Sequence, residues 1–287
     1  MSYNRRTIAG MVGHVTAPAG ALADQVPGWV TLIRAPNPGV MTLDGTNTWV
    51  LRVPGEEHAV VIDPGPLDGG HLDAIAAHAP VGFVLITHGH PDHVEGARAL
   101  SERLGGCGVI AASQEHCVGV DPLDPDESLG GFGLEIRAVS TPGHTRDSVC
   151  FEIEAGGERA IFTGDTILGR GTTVVAWPDG DLGDYLASLS RLSAYEGVPA
   201  LPGHGPALAD CAAAARFYLA HRQARLEQVR QVVAEGARSV PDVVAKVYAD
   251  VDRSLWPAAE WSVRAQLAYL GVANGESDSG QVWLDSP

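Results

Sequence analysis

Three imidazoles and one carboxylate fall within six consecutive positions, His88-Gly89-His90-Pro91-Asp92-His93. Imidazole nitrogen and carboxylate oxygen are the donors on which catalytic zinc sites draw. The run directly follows the apolar stretch Phe83–Ile86, and Gly89 and Pro91 suit a tight loop better than a strand interior. The pattern therefore predicts a strand that stops, a loop loaded with metal donors, and a helix beginning at Asp92 or His93.

Three further donors occur in the same local context. His144 stands in Thr141-Pro142-Gly143-His144-Thr145 after the apolar run Leu134–Val139, and Asp165 in Phe162-Thr163-Gly164-Asp165-Thr166 after Arg159–Phe162. His204 stands in Leu201-Pro202-Gly203-His204-Gly205 after a short apolar run. Each is a strand, then a glycine-containing turn, then a ligand-type residue, which favours one site at a common sheet edge. The count fits two ions. His88, His90 and His144 can serve the first; Asp92, His93 and His204 the second; Asp165 is left to bridge them. Each ion then keeps an open position for water. His14, His58, His71, His78 and His116 have no such partner motif and are read as structural or surface residues.

With its later His, Asp and His, the HxHxDH motif resembles that of the metallo-β-lactamase superfamily. The resemblance implies the same ligand roles and a four-layer αββα sandwich, an α/β fold. It also implies that an aspartate after an early strand, here Asp63 in Val61-Ile62-Asp63-Pro64-Gly65, supports the metal loop without binding metal. Several segments resemble a narrower branch: Gly45-Thr46-Asn47-Thr48, Gly171-Thr172-Thr173-Val174, Pro202–Pro206, and His221-Arg222 with Arg225. That branch holds the β-lactamase-like endoribonuclease and fungal thioesterases acting on carrier-bound polyketides, with a small winged-helix-like C-terminal domain. Glyoxalase II shares the metal motif but has another helical tail. True β-lactamases of this fold lack the bridging aspartate, so Asp165 argues against drug hydrolysis. Only 38 residues separate Asp165 from His204, too few for the large inserted domain of the nucleic-acid-processing branch.

The implied chemistry is hydrolysis by a metal-bridging hydroxide formed between two zinc ions, with iron or manganese as alternative occupants. Asp92 is the expected catalytic residue, holding a metal and accepting the water's proton. The preferred substrate is a thioester or related ester, small or carrier-bound. Cleavage of short single-stranded RNA is the alternative, and a non-catalytic, metal-bound binding module is the reading from another class. Arg170, Thr172 and Thr173 are candidates for lining the substrate pocket. His221, Arg222 and Arg225, on one predicted helix, are candidates for an anionic substrate group, with a solvated face or a contact to the catalytic domain as the favoured alternative.

The elements that must position these residues are short. Expected strands are Trp29–Arg34, Thr48–Val53, Ala59–Ile62, Phe83–Thr87, Val109–Ala112, Leu134–Val139, Ser148–Ile153 and Arg159–Phe162. Expected helices are Gly70–His78, Asp92–Leu104 and Leu182–Tyr195. The texture changes near Pro206. Residues 207–235 contain no Gly or Pro before the helix end and read as one long helix. A second helix is expected from Ser239, a third over Ala258–Leu270 and a hairpin near Asn274–Gly275, with Trp256 and Trp261 read as core of this tail rather than as a base-stacking platform. The expected division is a lead-in over 1–27, a catalytic domain over 28–206 and a mainly helical, winged-helix-like domain over 207–287.

Composition narrows the partners. The 287 residues carry 35 acidic and 19 basic side chains, a net charge of −16. Residues 1–204 hold 25 acidic and 11 basic side chains, and Lys246 is the sole lysine. Such a surface repels phosphate backbones at long range, which disfavours extended nucleic-acid binding. The four cysteines form no CxxC pair and read as reduced, mostly buried thiols, so a cytoplasmic location is expected. No apolar run approaches the ~18 residues of a membrane span. Arg5 and Arg6 before small residues resemble a signal peptide only faintly, since His14 and Pro18 interrupt the stretch. The oligomeric state is left open.

Overall fold

The structure is a computed structural model that describes residues 20–24 and 26–272. Two five-stranded sheets face each other. The first runs β1 (Val30–Arg34), β2 (Asn47–Leu51), β3 (Ala59–Ile62), β4 (Val81–Leu85) and β5 (Gly108–Ile110), antiparallel up to β3 and parallel beyond it. The second is ordered β10 (Ala200–Pro202), β9 (Glu158–Gly164), β8 (Val149–Ala155), β7 (Leu134–Ser140) and β6 (Ser128–Gly131). Only its β10–β9 pair is parallel.

Alternation along the strands builds the layers. Trp49, Leu51, Val60, Ile62 and Leu85 point between the sheets, against Ile136, Phe151, Ile153 and Phe162. The residues between them, Val50, Val61 and Val84, point outward and are covered by α1 (Gly69–Ala76) and α3 (Ala97–Arg103) through Leu72, Ile75 and Leu100. On the other side Val139, Cys150 and Ile161 meet α4 (Leu182–Leu192) and α5 (Cys211–Ala234) through Tyr185, Leu189 and Tyr218. The result is the expected αββα sandwich. Cys107, Cys117, Cys150 and Cys211 are all unpaired thiols, and the last three are buried.

The expected single helix over Asp92–Leu104 is instead two, α2 (Pro91–Val94) and α3. The break lies at Gly96, whose amide donates to Gly65 O at 2.9 Å. A β-carbon there would lie 3.0 Å from Pro66 O and 3.1 Å from Gly65 O. A long-range contact to the loop after β3 thus overrides a helical pattern. Strand β6 was not anticipated, because Ser-Leu-Gly-Gly at a sheet edge carries no strand signal.

The C-terminal helices are α5, α6 (Val240–Val247) and α7 (Trp256–Tyr269). Asp210 caps α5, and Ser239 caps α6 with Pro241 in its first turn. Val229, Val243, Val244, Val263 and Leu267 form their common core, against which Trp256 packs. Trp261 does not join it; at 47% exposure it faces solvent, contrary to expectation. Of the lead-in, Ala21–Ala23 pair with Ala207–Ala209. The expected hairpin at Asn274–Gly275 lies outside the described residues.

Strand direction brings one end of both sheets together. The first residues of β2 and the last of β3 and β4 lie at one edge, with the last residues of β7, β9 and β10 and the first of β8. Asn47 N donates to Gly203 O at 2.7 Å and Val149 N to Thr87 O at 2.8 Å, stitching the two sheets there.

Candidate metal centre

All seven predicted donors reach this edge. They form two sets, His88, His90, His144 and Asp165, and Asp92, His93 and His204. Within each set one donor atom per residue lies within 4.8 Å of the others. His88 Nε2 and His144 Nε2 each stand 3.0 Å from His90 Nδ1, and His93 Nε2 stands 3.2 Å from His204 Nε2. Asp165 lies between the sets: its Oδ2 is 3.7 Å from His144 Nε2 and 3.3 Å from His204 Nε2. Asp92 Oδ2 is 3.2 Å from His204 Nε2.

The outer nitrogen of four of these rings meets an acceptor, which fixes the tautomer. His144 Nδ1 donates to Val174 O at 2.7 Å, His93 Nδ1 to Asp63 Oδ2 at 2.8 Å, and His204 Nδ1 faces Gly45 O at 3.4 Å. Thr87 Oγ1 gives its proton to Asp63 Oδ2, leaving it to accept from His88 Nδ1 at 3.0 Å. Each inner Nε2 is thereby left with a lone pair directed at another donor. The His93 and His204 lone pairs, 3.2 Å apart, repel unless a cation or proton sits between them.

Two more observations fit a metal ion. Asp165 Oδ1 is buried and has no hydrogen-bond partner among the described residues. Gly203 keeps the space clear, since a β-carbon there would lie 2.6 Å from both Asp165 Oδ1 and His93 Cε1. Without metal, protons supply the positive charge. Burial lowers His204, but Asp165 and Asp92 outweigh it and push its pKa up to about 11. Burial raises Asp92, but the hydrogen bond to His204 and the charge of His93 hold it at about 2. Burial dominates at His144, which falls to about 4, and drives His88 down as well. The nest is thus a carboxylate field that calls for cations. These His and Asp groups are able to bind metal ions.

Asp63 lies behind the loop. Its Oδ1 accepts from Thr87 N at 2.8 Å, and its Oδ2 accepts from Thr87 Oγ1 and His93 Nδ1. Its left-handed backbone (φ 51°) turns the chain at the end of β3, a conformation Asp tolerates better than most residues. Sequence reasoning gave no role to Thr46, whose Oγ1 donates to Asp92 Oδ2 at 3.0 Å and accepts from Asn37 Nδ2. Its only signal is a hydroxyl in a Gly-Thr-Asn-Thr turn, which many loops share.

A cavity of about 380 Å³ opens over His90, Asp92, His144, Asp165 and His204. Its walls include Val40, Met41, Leu43, Leu168, Val174, Leu255 and Ala258, along with Arg170, Thr172 and Thr173. Arg170 lines it but is held by Asp44 in a two-pronged pair at 2.5 and 2.7 Å. His221, Arg222 and Arg225 do not line it. They sit behind the loop 171–174, where Arg222 Nη2 donates to Thr173 O. Arg222 and Arg225 are 3% and 2% exposed, so their helix face is buried rather than solvated.

Residues 41–204 match the metallo-beta-lactamase superfamily, and residues 239–270 match the beta-lactamase associated winged helix domain. The chain is 31% identical to the beta-lactamase-like protein 2 homolog of Drosophila melanogaster, over 82% of this chain and 85% of that one. It is 30% identical to the lactamase-like protein vrtG of Penicillium aethiopicum, over 88% and 84%. A beta-lactamase domain protein from Burkholderia ambifaria shares the fold with a TM-score of 0.74, at 22% identity over 90% of this chain and 94% of that one. A protein solved in a di-iron-bound form is similar at 25% identity and a TM-score of 0.51, over 65% and 98%.

Proposed function

The chain belongs to the metallo-beta-lactamase superfamily, a superfamily of hydrolases, and from that premise we propose that it is a dinuclear zinc hydrolase of thioesters or related carboxylic esters. His88, His90 and His144 would hold one ion, Asp92, His93 and His204 the other, and Asp165 both. When bound, the ions supply Lewis acidity and bring the pKa of water toward neutrality. A histidine-rich set with carboxylates suits zinc. Iron is the other candidate, given the di-iron-bound form of one similar protein.

The chain's own residues do the rest. Asp92 is partly exposed to the cavity and its Oδ2 is oriented by Thr46, so it is placed to accept the proton of an attacking water. Val40, Met41, Leu43, Leu168 and Val174 receive the acyl part and keep bulk water from it.

One observation carries the choice of substrate. Apart from the donors, Arg170 is the one charged side chain lining the cavity among the described residues, and Asp44 neutralises it. A wall that is otherwise apolar or hydroxylic suits an ester's carbon chain better than a run of phosphates. The test is metal analysis followed by parallel assays on a hydroxyacyl-glutathione, an acyl-carrier thioester, a cephalosporin and a single-stranded RNA. Thiol release dependent on Asp165 is the expected result. RNA cleavage with both thioesters untouched would select the nuclease reading instead. Sub-stoichiometric metal, with no activity altered by Asp165→Asn, would leave a binding module.

A further inference from the structure

Behind the loop 171–174 lies a second cavity of about 90 Å³, between that loop and the C-terminal helices. His221, Arg222 and Arg225 of α5 line it, facing Tyr248, Ala259 and Ser262. Room for a few waters is also room for one small oxyanion.

The charge there is poorly balanced. Among the described residues no carboxylate lies within 4.0 Å of the Arg222 guanidinium, which rests over the Tyr185 ring at 5.2 Å. Arg225 has one, the half-exposed Asp250 at 3.9 Å. The protein hydrogen bonds of the two guanidiniums go to neutral groups: Thr173 O from Arg222, and Val247 O and Gln228 Oε1 from Arg225. The Nε of each is buried without a hydrogen-bond partner, as is His221 Nδ1. Burial, reinforced by the two arginines, pushes His221 down to about 3, so it stays neutral as a hydrogen-bonding wall. Two guanidiniums taken out of water with a single half-exposed carboxylate near them are expensive to keep, and an anion between them would offset that cost.

We propose that this cavity is an oxyanion subsite, receiving a phosphate or carboxylate carried on the non-reacting part of the substrate. The two cavities share Thr172, Thr173, Val174, Leu255 and Ala258, so the cavity at the arginines borders the one over the metal donors. Guanidinium forks match the planar and tetrahedral oxyanions in question. The substrate role rests on the hydrolase reading, but the anion site does not.

The probe is inorganic sulfate, titrated calorimetrically into the metal-loaded full chain. One saturable sulfate per chain is expected. Arg225→Gln weakens it roughly thirtyfold or more, as loss of a buried charge partner does. Ser262→Leu, which fills the cavity and keeps both arginines, does the same and decides the matter if Arg225→Gln does not fold. Asp92→Asn leaves sulfate affinity unchanged. Absence of saturable binding, or binding lost in Asp92→Asn and kept in Arg225→Gln, overturns the site. In thioester hydrolysis, sulfate should raise KM and leave kcat alone; a change in kcat alone would make the ligand a free anion and overturn the substrate role. A chain that binds sulfate in this way but releases no thiol refutes the thioester reading and leaves the anion site standing.

Discussion

Asp92, His93 and His204 are held from the first sheet, whereas His144 and Asp165 are held from the helices. On the first side the supports are immediate: Thr46 on Asp92, Asp63 on His93 and the Gly45 carbonyl by His204, all at strand ends of one sheet. On the second side they come in two steps. Val174 O and Thr173 Oγ1 hold His144, and the loop they belong to is fastened by Arg222 of α5. Tyr185 of α4 donates to Thr166 O, next to Asp165, and Arg222 lies over its ring. One half of the centre is therefore as stiff as a sheet edge. The other depends on how well α4 and α5 stay docked, which gives the C-terminal helices a hold on the metal site.

The largest expected effect comes where the halves meet. Asp165→Ala removes the carboxylate that lies within reach of both sets. Metal content should fall below about one ion per chain at modest metal concentration, with loss of hydrolysis, since the remaining donors bind only in an incomplete shell. Metal analysis after dialysis checks this. One ion retained at wild-type affinity would show that Asp165 belongs to a single half.

Asp63→Ala should separate the halves. It removes the direct acceptor of His93 Nδ1, and the ~10–100-fold loss of metal affinity typical for such a partner should fall mainly on the Asp92–His93–His204 set, with a smaller loss on the other through Thr87 and His88. It also leaves the buried Thr87 N–H and hydroxyl without their acceptor, which adds about 1–3 kcal/mol of destabilisation per group. Stepwise chelator titration with a thermal melt reads both. Equal weakening of the two ions would mean that the halves are one mechanical unit.

This division also explains what could be read in the sequence. The loop His88–His93 is legible because its donors are neighbours in the chain, and His144, Asp165 and His204 because each repeats the strand, glycine, donor pattern. Strands such as Ala59–Ile62 announce themselves by their apolar runs. The supports are not local. Thr46 meets Asp92 across 46 positions, and Gly96 breaks a predicted helix by bonding Gly65 across the loop. The place of Arg222, behind the cavity wall rather than in it, follows from helix docking, which no local pattern encodes.

The smallest expected effects form a matched pair. Thr46→Val and Thr173→Val each delete one hydroxyl and keep the branched shape, one in each half. Thr46 Oγ1 is the direct support of Asp92 Oδ2, so its loss should weaken the first-sheet set toward the lower end of the ~10–100-fold range. Thr173 Oγ1 shares His144 Nδ1 with Val174 O, which at 2.7 Å is the nearer acceptor against 3.2 Å. The backbone carbonyl of residue 173 also remains available to Arg222. Thr173→Val should therefore cost well under tenfold, below the range for a sole outer partner. The two affinities, measured by competition with a chelator, rank the supports directly. If Thr173→Val proved the costlier change, His144 would depend on the hydroxyl rather than on the Val174 carbonyl, and the helix-fastened loop would not be the second half's main support.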